Sequence, residues 1–188
     1  MFPRGFKSWC ENVSAQLRRE LNLQLVDPLD PKLLAIYLEV KVWTPREIPG
    51  IDVNCIETLL INDPDSWSAV TLCVGGKDLI ILNSSHPKSR QTSDLMHELA
   101  HLLIGHDPGR VDFTEDGLMM LATYDRKQDE EANWLAGSLL LPRDALLLIR
   151  RKNMNLKVAA KMFGVSQKMM QYRLNVTGVE LQVRRGQG

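Results

Sequence analysis

Leu95-Met96-His97-Glu98-Leu99-Ala100-His101-Leu102-Leu103-Ile104-Gly105 is the stretch on which the reading of this chain turns. Leu95, Leu99, Leu102 and Leu103 recur at helical spacing, so the segment after Ser89 predicts a helix with one apolar face against a core. His97 and His101 are four residues apart, which brings both imidazoles to one side of that helix, where each can offer a nitrogen to the same zinc ion. Glu98 lies beside them. Five residues with three fixed positions also recur by chance, so the motif needs support from its surroundings.

Working outward, residues 68–74 and 78–82 flank Gly75-Gly76-Lys77 and read as a β-hairpin. A hairpin followed by a motif-bearing helix is the order expected of zinc peptidases. In that chemistry the metal lowers the pKa of a bound water to about 7, and Glu98 takes its proton and delivers it to the departing amine. A third ligand must come from elsewhere. A metzincin needs glycine and histidine three and six residues after the second motif histidine, and Ile104 and Asp107 stand there instead. His106 falls roughly 500° around the helix from His101 and is expected to face solvent.

The next helix, Gln128 to Leu141, stopped by Pro142, is the better source, because Asp129-Glu130-Glu131 opens it. With Ala132, Leu135, Ala136 and Leu139 as its buried face, Asp129 lies about 60° from the centre of that face, Glu131 about 100° and Glu130 nearly opposite. Asp129 and Glu131 both remain candidates. The ordinary role of such a triplet is to stabilise the helix amino terminus through the macrodipole. Tyr124, just before this helix, is read as a packing residue ahead of an oxyanion donor.

Elsewhere the sequence predicts helices at 8–22, 31–39, 52–60, 143–152 and 156–163, a short strand near 40–43, and an irregular acidic segment over 110–127. The chain has 188 residues and 44% apolar composition, enough for a real core. Net charge is zero but uneven: residues 1–142 carry 13 Lys and Arg against 21 Asp and Glu, and residues 143–188 carry 10 against 2. Such a basic tail suits an acidic protein or nucleic acid, or simply a solvated surface. Cys10, Cys55 and Cys73 lack metal-type pairing and read as structural thiols. Nothing resembles a signal peptide or the ~20 apolar residues of a membrane span, so a cytoplasmic address without membrane contact is expected.

Two separated motifs, His97-Glu98-Leu99-Ala100-His101 and Ala132-Asn133-Trp134-Leu135-Ala136-Gly137-Ser138-Leu139-Leu140-Leu141-Pro142, resemble the ImmA/IrrE family of metallo-endopeptidases, over most of residues 30–178. The resemblance implies a zinc site made by His97, His101 and an acidic residue at Asp129, with Asn133 supporting it. The family more often has glutamate there, so Glu131 stays open as the alternative ligand. Residues 159–174 resemble the helix-turn-helix that such proteins carry, with Gly164 at the turn and Ser166 capping the next helix. Lys157, Lys161, Lys168 and Arg173 would then meet phosphates if DNA were bound, whereas Met162, Phe163, Met169 and Met170 suggest packing against the body.

The expectation is therefore an α+β, mostly helical zincin-like fold with a small antiparallel sheet. Residues 1–142 form its peptidase domain, and residues 143–188 form a basic helical segment packed on it. The resemblance implies an endopeptidase whose substrate is a helix-turn-helix repressor, cleaved to relieve transcriptional repression. The alternative is a DNA-binding or protein-binding regulator with a structural or vestigial metal site.

Overall fold

The computed structural model describes residues 2–106, 111–113, 119–121 and 125–185. Helix α1 (Phe6–Glu20) leads into α2 (Pro31–Tyr37), which Asp30 caps by accepting from the Lys32 amide at 2.9 Å, with Pro31 at the first helical position. Strand β1 (Lys41–Trp43) and helix α3 (Val53–Glu57), which runs on into one π-helical turn, precede the hairpin of β2 (Ala69–Val74) and β3 (Lys77–Leu82). Gly75 and Gly76 both take positive φ, 59° and 76°, as a two-residue turn between right-twisted strands requires.

The sheet order is β1-β3-β2. The hairpin pairs antiparallel from Ala69↔Leu82 to Val74↔Lys77, but β1 joins β3 in parallel, with Val42 opposite Ile80. The sheet is thus mixed where an antiparallel one was expected. The long connection between β1 and β2 supplies the crossover that a parallel pair needs. As the middle strand, β3 is covered on both faces, and Leu79, Ile80, Ile81 and Leu82 are all buried.

Helix α4 (Lys88–Ile104) carries the histidine motif and packs on α5 (Arg126–Leu140). Between them, Val111–Phe113 and Met119–Leu121 pair antiparallel as β4 and β5, inside the segment expected to be irregular. Three-residue strands are too short for their period to stand out in a sequence. Helices α6 (Arg143–Arg151), α7 (Leu156–Met162), α8 (Gln167–Val176) and α9 (Val179–Arg185) follow. Gly164 turns the chain between α7 and α8 at φ 66°, and the Ser166 hydroxyl accepts from the Met169 amide at 3.1 Å. One buried cluster draws residues from α1, α4, α5, α6, α7 and α8, including Leu17, Leu99, Leu135, Leu146, Ala160 and Leu174. Among the described residues, no helix is long and apolar enough to cross a membrane.

The carboxy-terminal end of α5 lies in this core, so its last carbonyls cannot turn to water. Side chains from two other helices meet them. The Ser14 hydroxyl donates to the Ser138 carbonyl at 2.8 Å, Arg18 donates to the Leu139 carbonyl at 2.7 Å, and Arg173 donates to the Leu141 carbonyl at 3.2 Å. Both guanidinium groups also favour the negative end of the helix dipole. Gly137 makes room for this, since a Cβ there would stand 3.0 Å from Arg173 Cδ. Burial pulls Arg18 down to about 10, still charged at neutral pH.

Arg173 therefore does not face solvent, as phosphate contact would require; it is 1% exposed and pairs with Glu11 at 2.9 Å. The other Glu11 oxygen accepts from the Arg143 amide at 2.9 Å, capping α6, whose preceding residue, Pro142, has no capping side chain. Phe163 and Met170 are buried as expected, while Met162 is exposed and Met169 half-buried. Of the cysteines only Cys10 lies in the core, where burial pushes its thiol up to about 12, and Cys55 and Cys73 are exposed.

Removing one partner of a buried ion pair leaves an uncompensated charge. Glu11→Ala is expected to cost about 3 kcal/mol in urea denaturation. Glu130→Ala, which removes an exposed pair with Arg126, should cost no more than about 0.5 kcal/mol. Equal midpoints for the two variants would refute this role for Glu11.

Candidate metal centre

One helical turn of α4 brings the rings of His97 and His101 together, with their Nε2 atoms 3.1 Å apart. Asp129 reaches the same point from the first turn of α5, its Oδ1 3.2 Å from His97 Nε2. That turn begins two residues earlier than the sequence suggested, because Asp125 caps it by accepting from the Lys127 amide at 2.8 Å. Asn133, one turn on, donates to the second Asp129 oxygen at 3.0 Å and so orients the carboxylate. The two facing helices carry the buried alanines Ala100, Ala132 and Ala136, small side chains that let helices pack closely.

One donor atom from each of His97, His101 and Asp129 lies within 4.8 Å of the others. Tetrahedral zinc with bonds of about 2.0–2.1 Å would hold its donors about 3.3 Å apart, close to the separations between His97 and its two neighbours. The donor set fits as well as the spacing. Burial, with His97 and His106 nearby, pulls His101 down to about 4, which keeps its ring neutral and its lone pair available near pH 7. The group could hold a metal ion, and three protein ligands would leave a position open for water.

Glu98 points toward the sheet, where the Thr71 hydroxyl on β2 donates to its Oε2 at 2.5 Å. Burial raises the Glu98 pKa most, and Asp94 and Asp129 add to it, while the Thr71 hydrogen bond and His97 oppose the rise. A carboxyl raised in this way is suited to pick up a proton and release it again. Thr71 was not among the residues singled out from the sequence. A threonine in a hairpin strand carries no local signal, and only the packing of β2 beside α4 gives it a role.

The remaining expectations divide. Glu130 lies on the surface with Arg126 at 3.0 Å. Glu131 does not join the donor group; its Oε2 is 3.4 Å from His106 Nε2. His106 does not face solvent. Its side chain is 7% exposed, and its Nδ1 lies 3.0 Å from His101 Nδ1.

The cause is at Gly105, which ends α4 at φ 80° in the left-handed region. Its amide donates to the Leu102 carbonyl and the His106 amide donates to the His101 carbonyl, both at 3.1 Å, the paired bonds of a Schellman motif. That motif folds the second residue beyond the helix back over its last turn, where an apolar contact is usual and two imidazoles meet here. Extending the 100° step through a terminal glycine put His106 on the wrong side. Glycine followed by histidine at a helix end was the available signal. Tyr124 lies outside the described residues.

Comparison with known proteins is consistent with this centre. No curated protein matches the chain, but the family model described as Peptidase M78, IrrE N-terminal-like domain, matches residues 58–175. That span takes in the hairpin, the histidine helix, the Asp129 helix and α6 to α8. With well over half its length inside the match, the chain belongs to the M78 peptidase family, the IrrE N-terminal-like proteins.

Proposed function

We propose that the chain is a zinc-dependent endopeptidase of the cytoplasm that hydrolyses a peptide bond in a protein substrate, a helix-turn-helix repressor. The observation that carries the reading is the convergence of His97, His101 and Asp129 beside Glu98. His97 Nε2, His101 Nε2 and an Asp129 oxygen would hold the ion. Zinc, when bound, supplies a water acidic enough to attack at neutral pH and polarises the scissile carbonyl. Glu98 accepts the proton of the attacking water and passes it to the leaving amine nitrogen. The Thr71 hydroxyl holds Oε2 of that carboxylate, leaving Oε1 for the proton.

An extended substrate has a place to lie. Among the described residues, β2 pairs on one side only, with β3. A peptide added along its open edge would run past the strand that bears Thr71. The repressor substrate is supported by the resemblance to ImmA/IrrE proteins. The exposed lysines Lys157, Lys161 and Lys168 offer a basic face to an acidic partner.

A second reading, DNA contact through α7 and α8, is favoured by the row Gln167, Lys168, Gln171 and Tyr172, exposed on the second helix of the pair. Burial of Arg173 weighs against it. A mobility shift that steepens at low salt and is lost on replacing the three lysines would favour DNA, whatever the peptidase does.

The wild-type protein is expected to bind about one zinc per chain and to cleave a repressor encoded nearby, as read by mass spectrometry. Glu98→Gln should keep the metal while hydrolysis falls at least about 100-fold. Asp129→Ala should lose tight zinc binding, and an unchanged metal content in that variant would remove Asp129 from the site. Less than stoichiometric zinc in wild type, with His97→Ala no different, would sink the peptidase reading.

A pH dependence follows for protein stripped of metal by a chelator. The folded pKa of His101, about 4, lies below its ordinary 6.5, so the unfolded chain binds the proton first. The His101 contribution to stability is present above about pH 6.5 and is lost as pH falls toward 4. Denaturation midpoints across that window should flatten in His101→Asn, and identical profiles would contradict it.

A further inference from the structure

We propose that His106 and Glu131 form a positioning relay that fixes His101 with its proton on Nδ1 and its Nε2 bare toward the metal. The inference rests on the metal site proposed above and adds two residues that lie outside the donor group. His101 uses both ring nitrogens: Nε2 faces His97 Nε2 at 3.1 Å, and Nδ1 faces His106 Nδ1 at 3.0 Å. A neutral imidazole has one N–H and one lone pair, so committing either nitrogen commits the other.

The assignment runs outward from the site in one direction. With the His101 Nε2 lone pair turned to the ion, its hydrogen sits on Nδ1 and must find an acceptor. His106 Nδ1 is that acceptor, and its lone pair then requires the His106 hydrogen to be on Nε2. That N–H meets Glu131 Oε2 at 3.4 Å, and an ionised carboxylate can only accept. With His101 protonated on Nδ1, the opposite tautomer of His106 would set two N–H groups against each other at the His101 contact and a lone pair against the carboxylate at Glu131.

The relay is also held in place. Its side chains are mostly sheltered, 7% exposed for His106 and 13% for Glu131, so water competes poorly for these bonds. The His101 and His106 rings meet edge to face, with centroids 5.0 Å apart and planes at 65°. The Schellman turn at Gly105 fixes the His106 backbone, and α5 fixes Glu131 two residues from Asp129, so one helix supplies both a ligand and the far end of the relay. A carboxylate behind a ligating imidazole raises its basicity and prevents the ring from turning over, which here is achieved through a second imidazole.

The test compares zinc affinity by competition with a chelator across three variants whose folding is checked by their thermal midpoints. His106→Phe keeps a ring but has no acceptor, and zinc affinity should fall about 10–100-fold. His106→Asn, whose amide oxygen can accept from His101 Nδ1, should stay within about 3-fold of wild type. Glu131→Leu should weaken binding in the same direction as His106→Phe. Histidine nitrogen NMR of zinc-loaded wild type needs no variant and should show His101 protonated at Nδ1. Wild-type affinity in His106→Phe, equal losses in His106→Phe and His106→Asn, or a proton on His101 Nε2 would each overturn the relay. A wild type that binds zinc tightly under any of those outcomes leaves the peptidase reading standing, while one that binds none overturns both.

Discussion

A helix that delivers a carboxylate to a water-accessible site at one end and runs into the core at the other must dispose of its final carbonyls without water. In this protein α5 is that helix, and its buried end meets Ser14, Arg18 and Arg173. Each unsatisfied carbonyl would cost on the order of 1–3 kcal/mol, so the interactions are a condition for the helix lying where it does. Their consequences spread outward. Arg173 requires Glu11, and Glu11 in turn caps α6, so α1, α5, α6 and α8 are joined by polar contacts inside an apolar cluster.

The site inherits its order from that arrangement. Asp129 is in reach of His97 because α5 cannot slide along α4 without withdrawing its carboxy-terminal carbonyls from the two arginines. The Glu98 carboxyl is held by a different layer, since Thr71 belongs to the sheet. The proposed ligands and base therefore come from two neighbouring helices, and one strand steadies the base. The residues that support them, Asn133, Thr71, His106 and Glu131, lie on or directly beside those same elements.

Much of this was legible in the sequence where periodicity and caps are local. The two central helices, the glycine turn of the hairpin and the Ser166 cap all follow from spacing within a few residues. The histidine pair and Glu98 were legible for the same reason, because one turn of helix determines their relation. What escaped depends on contacts remote in sequence. The parallel pairing of β1, the burial of Arg173 and the approach of Thr71 to Glu98 are set by packing that a window of residues cannot contain. The residues between α4 and α5 carried a weaker signal, and their two short strands were read as irregular. His106 departs from the face that helical spacing assigns it because the 100° step ends at Gly105, one residue before it.

Gly137 gives the arrangement an evolutionary signature. It lies in mid-helix, where glycine is usually a cost of about 1 kcal/mol against alanine, and its role is the space it leaves for the Arg173 side chain. The two positions are 36 apart in sequence yet act as one unit of inheritance. A chain that exchanges the arginine for a shorter side chain releases the glycine to become alanine, and a chain that gains a Cβ at 137 must first give up the arginine or move it. Covariation of this pair across relatives would therefore trace the buried end of α5, far from the histidines by which such proteins are recognised.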